Sequence, residues 1–274
     1  MKPDQRPNLA VTIAPLAGGA EPLHVRGALA WTSSLGYRGV QLNAADPETR
    51  PRELGPSARR DLAATLARLE LVASGIDLFI PPAHFLEPAT QSRAIDAVLG
   101  AIGLAADLSR APVTAPLPED LPTAILYAIG AEAERVGVSV LVAASGAKSA
   151  RSADSGAATS GKDHGLPPLP MPPFGFSLDC AAVLAADGSP EGEIARLGSA
   201  LGAVRVVDLL RSGLRGPILE PRESRLDALA VRMACELAPA ARDGRPIAIV
   251  DARQWIDPRA GIERTITRWR ALGA

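Results

Sequence analysis

The chain has 274 residues, of which 47% are hydrophobic and 22% charged, a composition that excludes an intrinsically disordered protein. Its 29 basic and 30 acidic residues give a formal charge of −1, which argues against a strongly basic nucleic-acid binder. Its two cysteines, far apart in sequence, exclude a disulfide scaffold or a zinc ribbon. The N-terminus has no apolar signal core and no apolar run has the length of a membrane span, so we expect a reducing, cytoplasmic setting without a membrane partner.

In the first half of the chain, short apolar or β-branched runs alternate with longer patterns of helical period. The predicted strands are 9–13, 39–42, 72–80, 113–115 and 138–142. The predicted helices are 23–35, 57–69, 88–108 and 122–136. The third helix has the clearest pattern, with Ile95, Val98 and Ile102 on one face, and Gly137 is expected to end the fourth.

The alternation stops between residues 145 and 173, a stretch rich in Ser, Gly, Ala and Pro. Such a composition cannot bury enough apolar surface to offset the entropy lost on ordering the chain. We therefore interpret 145–173 as a low-complexity, flexible insertion. A lid over an active site is the alternative, because loops this long in compact domains are often functional.

The alternation then resumes to the end of the chain. The predicted strands are 174–178, 204–207 and 246–250, and the predicted helices are 191–201, 226–238 and 258–272. Eight strands separated by helical segments predict a closed (β/α)8 TIM barrel, a single α/β domain over 1–274. A doubly wound open sheet would show the same alternation, but residues 14–19 lack the glycine-rich phosphate turn that usually follows its first strand.

Polar residues at the carboxyl ends of the predicted strands are the candidate site, because barrel active sites lie at that face. They are Gln41, Asn43, His84, Asp179, Arg205, Asp208 and Asp251. Asp179 and Asp251 are candidate catalytic carboxylates, although each could equally cap the helix that follows. His84 is the third catalytic candidate, although a lone histidine in a loop is more often simply solvated.

Arg205 is unusual because it is a charge within an otherwise apolar strand. A charge there is costly without a partner, and Asp179 and Asp251 lie on the two strands that would flank it. The candidate substrate-binding residues are Arg205, Asp208, Gln41 and Trp255. Trp255, just after strand eight, could stack on a sugar face or merely cover the barrel rim.

Five segments, in the expected order, resemble motifs of the xylose isomerase-like barrels, a superfamily of sugar isomerases, sugar epimerases and endonuclease IV-type repair enzymes. The segment LGYRGVQL at 35–42 resembles the family's second strand, and AIGLAADL at 101–108 resembles the helix before strand four. The remaining three resemble strands six, seven and eight: FSLD at 176–179, VRVVD at 204–208 and PIAIVD at 246–251. The resemblance spans nearly the whole chain.

The resemblance implies a divalent-metal site made of a Glu on strand five, an Asp on six, a His on seven and a Glu on eight. The matching positions here are Ala143, Asp179, Arg205 and Asp251, while the family's nearby histidine and its strand-two glutamate match Ala182 and Gln41. Two carboxylates are fewer than the three protein ligands usual for a catalytic metal, and a guanidinium keeps its charge. We therefore expect no metal or other cofactor, and expect Arg205 to replace the ion as a hub between Asp179 and Asp251.

The resemblance implies a sugar isomerase/epimerase-like protein that binds or acts on a small carbohydrate. The altered ligand positions leave an alternative open, a non-catalytic barrel of the same descent that serves as a ligand- or protein-binding module. DNA repair of the endonuclease IV type fits poorly, since it needs a dense cluster of His and acidic ligands and this chain has three histidines. We accordingly expect no nucleic-acid partner.

Overall fold

A computed structural model describes residues 6–18, 22–144, 172–240 and 244–273. The strands are β1 (Ala10–Thr12), β2 (Gly39–Asn43), β3 (Val72–Asp77), β4 (Val113–Thr114), β5 (Val140–Ala143), β6 (Phe174–Asp179), β7 (Leu201–Val206), β8 (Asp208–Leu209), β9 (Arg215–Gly216) and β10 (Ala248–Val250). The α-helices are α1 (Val25–Ser34), α2 (Pro56–Arg68), α3 (Pro88–Asp107), α4 (Thr123–Val136), α5 (Cys180–Ala185), α6 (Pro190–Leu197), α7 (Ala228–Leu237) and α8 (Pro258–Ala271). Among the described residues, 3-10 helices cover Ala14–Ala17, Pro82–Phe85 and Gly198–Ala200.

Eight parallel strands close into a barrel in the order β1-β10-β7-β6-β5-β4-β3-β2. Closure is completed by the pairing of β1 with β10, where Ala10 faces Ile249 and Val11 faces Val250. The predicted (β/α)8 barrel is therefore confirmed. The remaining strands, β8 and β9, form a short antiparallel hairpin directly after β7.

The helices do not follow the strands one for one. Two short helices, α5 and α6, lie between β6 and β7, whereas no helix of the described residues lies between β5 and β6. The predicted insertion falls mainly on 145–171, which lies outside the described residues. Its last two residues, Pro172 and Pro173, form the turn that leads into β6.

Local sequence explains most helix ends. The αL conformation of Gly137, with φ +69°, ends α4 as predicted. The helix predicted over 57–69 begins one residue earlier, because Pro56 occupies the first turn and Gly55 is the N-cap. Val98 and Ile102 of α3 are fully buried, as the helical pattern predicts.

The side chains packed between the strands and the helices form the main hydrophobic core. A second, separate buried cluster contains Ala10, Leu141, Ala203 and Ile249, all from barrel strands. Gly39 of β2 is also needed inside the barrel, because a Cβ at that position would lie 2.2 Å from the Ser74 hydroxyl. Within the part of the chain that the structure describes, no helix is long and apolar enough to cross a bilayer.

Candidate functional site

A cavity of about 700 Å³ opens at the carboxyl ends of the barrel strands. Its polar lining residues are Asn43, Asp77, Thr114, Ser177, Asp179, Arg205, Arg215, Asp251, Arg253 and Gln254. Parallel strands all end at the same face of the barrel, so residues from distant parts of the chain meet there. The structure thus brings together Asp179, Arg205 and Asp251 of the predicted site, as the sequence led us to expect.

Two arginines and two aspartates form a closed ring of ion pairs at the base of this cavity, which we call the Asp–Arg ring. Arg205 donates one hydrogen bond to Asp251 Oδ2 at 2.5 Å and another to Asp77 Oδ1 at 2.8 Å. Arg253 completes the ring by donating to Asp77 Oδ2 at 2.6 Å and to both oxygens of Asp251 at 2.6–3.2 Å. Two positive charges therefore balance two negative charges.

The ring is largely shielded from water. The side chains of Asp77 and Asp251 are 4% and 7% exposed, and that of Arg205 is 14% exposed. Burial raises the pKa of Asp251 to about 6, although the Arg205 charge opposes the shift. Burial likewise raises the pKa of Asp77, again opposed by Arg205. In both cases the effect of desolvation on the pKa exceeds that of the Arg205 guanidinium.

The expected hub role of Arg205 is correct for one partner and wrong for the other. Arg205 does pair with Asp251, but its second carboxylate is Asp77 of β3 rather than Asp179 of β6. Asp179 instead pairs with Arg215, which the β8–β9 hairpin carries over the cavity. It also accepts a hydrogen bond from Ala182 N at 3.2 Å as the N-cap of α5, so the capping role considered for it is present.

The capping role considered for Asp251 is absent, because Asp257 caps α8 by accepting from Ala260 N at 3.0 Å. Asp251 accepts instead from the backbone N–H of Arg253 at 3.2 Å, an Asx-type turn just after β10. This turn points the Arg253 guanidinium back across the barrel. The ring of Phe79 lies against that guanidinium, with 5.7 Å between its centroid and Cζ.

Four other predicted site residues lie away from the cavity lining. Gln41 is 1% exposed and lies in the barrel wall. Its side-chain amide packs against Gly75, where an added Cβ would lie 3.3 Å from Gln41 Nε2. Asp208 is fully buried, and its Oδ1 accepts from the backbone N–H groups of 225 and 226 at 3.1 and 3.0 Å, which anchors the segment before α7. Both side chains therefore support the framework around the site.

The other two are His84 and Trp255. His84 lies half-buried in the 3-10 helix Pro82–Phe85, and its backbone carbonyl accepts from Thr90 Oγ1 at 3.0 Å. Trp255 is 7% exposed, and its ring covers Gly261 of α8, where a Cβ would come within 2.3 Å of it. This is the rim-covering role that the sequence offered as the alternative to sugar stacking.

Sequence reasoning missed Asp77, Arg253 and Phe79. Asp77 carried the same signal as Arg205, a charge within the apolar run 72–80, but that run was assigned to one continuous strand. The strand in fact ends at Asp77, which places this carboxylate at the cavity and leaves Phe79 beyond the strand, 70% exposed on the cavity wall. Nothing in the local sequence distinguishes Arg253 from the chain's many other arginines.

No protein-family model matches the chain. No curated protein matches it either. Solved structures do match over nearly its whole length. An L-ribulose 3-epimerase superposes with a TM-score of 0.64 at 14% identity, over 97% of this chain and 93% of the other. A sugar phosphate isomerase/epimerase from Parabacteroides distasonis ATCC 8503 gives 0.65 at 12%, over 97% and 96%. A xylose isomerase domain protein from Planctomyces limnophilus gives 0.60 at 10%, over 96% and 95%.

The chain has the fold of the xylose isomerase-like barrels. The resemblance drawn from five short sequence segments is thereby confirmed at the level of the fold. At 10–14% identity the similarity extends to the fold alone. The chemistry of this barrel depends on its own cavity, in which Ala143 occupies a position where the resemblance implies a metal ligand and Ala182 the position of the nearby histidine.

Proposed function

We propose that this chain is a sugar isomerase/epimerase-like barrel that binds a small carbohydrate in the cavity at the carboxyl ends of its strands, with the Asp–Arg ring in place of a divalent metal. The observation that carries the proposal is the ring itself, which lies at the base of a cavity of about 700 Å³ in a sugar-isomerase fold. A cavity of that size accommodates a monosaccharide.

The residues present do not fit a divalent cation. Every carboxylate oxygen of Asp77 and Asp251 already accepts a hydrogen bond from a guanidinium group. A cation between them would have to displace those bonds and would be repelled by Arg205 and Arg253, which cannot lose their charge. Among the described residues, no group of three or more His, Cys, Asp or Glu side chains is arranged to hold a metal. We therefore derive no step through a metal.

The cavity offers the groups that a neutral sugar needs. Asn43, Thr114 and Gln254 supply amide and hydroxyl groups on its wall, and the Asp179–Arg215 pair supplies a carboxylate and a guanidinium, each 28% exposed. Phe79 supplies an exposed aromatic face for the C–H face of a pyranose or furanose ring. Polar groups that converge on a cavity with an apolar wall are characteristic of a small-molecule site.

The Asp–Arg ring favours a protein that binds a sugar without converting it. A proton acceptor for isomerisation needs an oxygen free to approach a substrate C–H, whereas the oxygens of Asp77 and Asp251 are held by Arg205 and Arg253. Metal-independent catalysis is a second candidate, because Asp251 lines the cavity and burial raises its pKa. The pKa of Asp251, about 6, lies close to neutrality, where a general acid–base group works best.

The proposal is tested by titrating the protein with a panel of ketohexoses and ketopentoses, followed by calorimetry, in buffer with EDTA and again with Mn²⁺. We expect saturable binding in EDTA, unchanged by Mn²⁺, that Phe79→Ala weakens and Arg60→Ala, an exposed arginine on α2, does not. Binding that requires Mn²⁺, or stoichiometric metal in the purified protein, would contradict the metal-free site. Exchange of a sugar C–H for solvent deuterium would select the catalytic candidate over binding alone.

A further inference from the structure

A second cavity, of about 560 Å³, opens at the opposite end of the barrel, where the strands begin. Its charged and hydroxyl-bearing lining residues are Ser74, Ser109, Arg110, Ser139, Ser199 and Arg245. The described lining includes two arginines and no aspartate or glutamate, in contrast to the balanced charges of the other cavity. The opening at the start of the strands, which we call the N-terminal mouth, is therefore lined by hydroxyl groups and two arginines.

Arg110 supplies a charge without a counter-charge. Its guanidinium has no hydrogen-bond or ion-pair partner among the residues that the structure describes, whereas Arg205, Arg215 and Arg253 at the other mouth all pair with aspartates. Its stem runs beside Gly137, where a Cβ would lie 3.3 Å from the arginine Cδ. The glycine that ends α4 thus also leaves room for this side chain.

Arg245 holds the turn that presents Arg110. Its two terminal nitrogens donate to the backbone carbonyls of Arg110 and Ser109 at 2.7 and 3.0 Å. Both of these residues have left-handed backbone conformations, with φ +64° at Ser109 and +56° at Arg110, which side chains with a Cβ adopt only at an energetic cost. Non-glycine residues keep such conformations where the surroundings enforce them, often at ligand sites.

Ser74 provides an independent indication of a ligand. It is 2% exposed in the inner wall of the N-terminal mouth, and its hydroxyl is buried without any hydrogen-bond partner among the described residues. Buried hydroxyl groups nearly always form hydrogen bonds. An unpartnered hydroxyl at a cavity wall is therefore available to donate a hydrogen bond to a bound ligand. Because the unpaired Arg110 guanidinium lines the same cavity, the complementary acceptor is an anion.

We propose that the N-terminal mouth is a binding site for a phosphate group carried by a small molecule, with Arg110 as its cationic ligand, Ser74 as an inner hydroxyl donor and Arg245 as the residue that positions the Arg110 turn. Guanidinium groups bind phosphate oxygens in bidentate geometry, and a phosphate presents more acceptor oxygens than a carboxylate for the surrounding hydroxyls. The site is separate from the carbohydrate cavity, so a test of phosphate binding there is independent of the proposed function.

The test is calorimetric titration of the full chain with inorganic phosphate at constant ionic strength, with acetate as the matched carboxylate and with glucose and glucose 6-phosphate as further probes. We expect saturable phosphate binding, weaker acetate binding, and binding of glucose 6-phosphate at least as tight as that of phosphate. Arg110→Ala and Arg110→Gln should each weaken phosphate binding at least about tenfold, and Ser74→Ala should weaken it by a smaller factor. Arg110 has no side-chain partner, so both of its variants should fold and melt like the parent.

The matched control is Arg60→Ala, which removes the same charge from an exposed position on α2 and should leave the phosphate affinity unchanged. Arg215→Ala tests the other mouth. If that variant abolishes phosphate binding while the Arg110 variants retain it, the anion binds at the carboxyl end of the barrel and the proposal is overturned. Binding that Arg60→Ala weakens as much as Arg110→Ala, or the absence of any saturable phosphate binding, would overturn it as well.

Discussion

Arg205 reaches across the barrel to Asp77, a residue 128 positions away in sequence and on the strand diametrically opposite β7. The hydrogen bond between Nη2 and Oδ1 is 2.8 Å long, and both side chains are mostly buried. The same guanidinium also holds Asp251, the residue that follows the neighbouring strand β10. One side chain therefore links opposite walls of the barrel.

Replacing Arg205 with methionine should destabilise the protein strongly. The substitution preserves most of the side-chain volume but leaves Asp77 and Asp251 buried with one guanidinium instead of two. Removing one partner from a buried ion pair costs about 3–5 kcal/mol, so we expect a loss of that order in the free energy of unfolding, measured by urea denaturation. Adding Asp77→Asn should recover part of the loss. A double variant no more stable than Arg205→Met alone would mean that the pair is not coupled.

Asp251 should make the stability depend on pH. Its folded-state pKa is raised to about 6, so between about pH 4 and pH 6 the native protein retains a proton that the unfolded chain has released. The contribution of Asp251 to the free energy of unfolding is therefore largest at the acidic end and decreases as the pH rises through this window. We expect a total decrease of at most about 3 kcal/mol.

The measurement is urea denaturation of the parent chain and of Asp251→Asn across that window. Their difference in unfolding free energy isolates the Asp251 titration from the other carboxylates. It should shift in favour of the variant as the pH rises. A difference that is flat, or that shifts in favour of the parent, would show that the carboxyl does not titrate with a raised pKa.

Gly261→Ala should destabilise the barrel by about 1–3 kcal/mol, the usual cost of overpacking. The added Cβ would come within 2.3 Å of the Trp255 ring, which covers this glycine on α8. The loss should be visible by differential scanning calorimetry, and Gly27→Ala, where a Cβ meets no atom closer than 3.9 Å, is the matched control. A Gly261→Ala protein as stable as its parent would show that the ring is free to face a ligand.

Phe79→Ala should affect sugar affinity much more than stability. The ring is 70% exposed, and its contact with Arg253 is an exposed cation–π pair worth about 0.5–1 kcal/mol. We expect a small change in melting temperature together with a clear weakening of sugar binding in the calorimetric titration. A large fall in melting temperature with unchanged affinity would instead make Phe79 a structural residue.

The sequence was most informative where a signal is local. The helical period of residues 88–108 predicted α3 to within one residue, and Gly137 ended α4 as a left-handed C-cap. The charge of Arg205 in an apolar strand correctly indicated a buried ion pair. The same reasoning failed for residues 72–80, because an apolar run does not reveal where a strand ends, and the end of β3 decides whether Asp77 or His84 faces the cavity.

The sequence by itself determined that this chain is an eight-stranded barrel, since alternating periods of two and 3.6 residues and the order of five short motifs are properties of the linear chain. It also determined that a guanidinium stands at a position where the resemblance places a metal ligand. Only the tertiary structure decided which carboxylates surround it. Closure of the barrel places β3 opposite β7 and the turn after β10 beside both, and that spatial neighbourhood is a property of the closed sheet rather than of sequence distance.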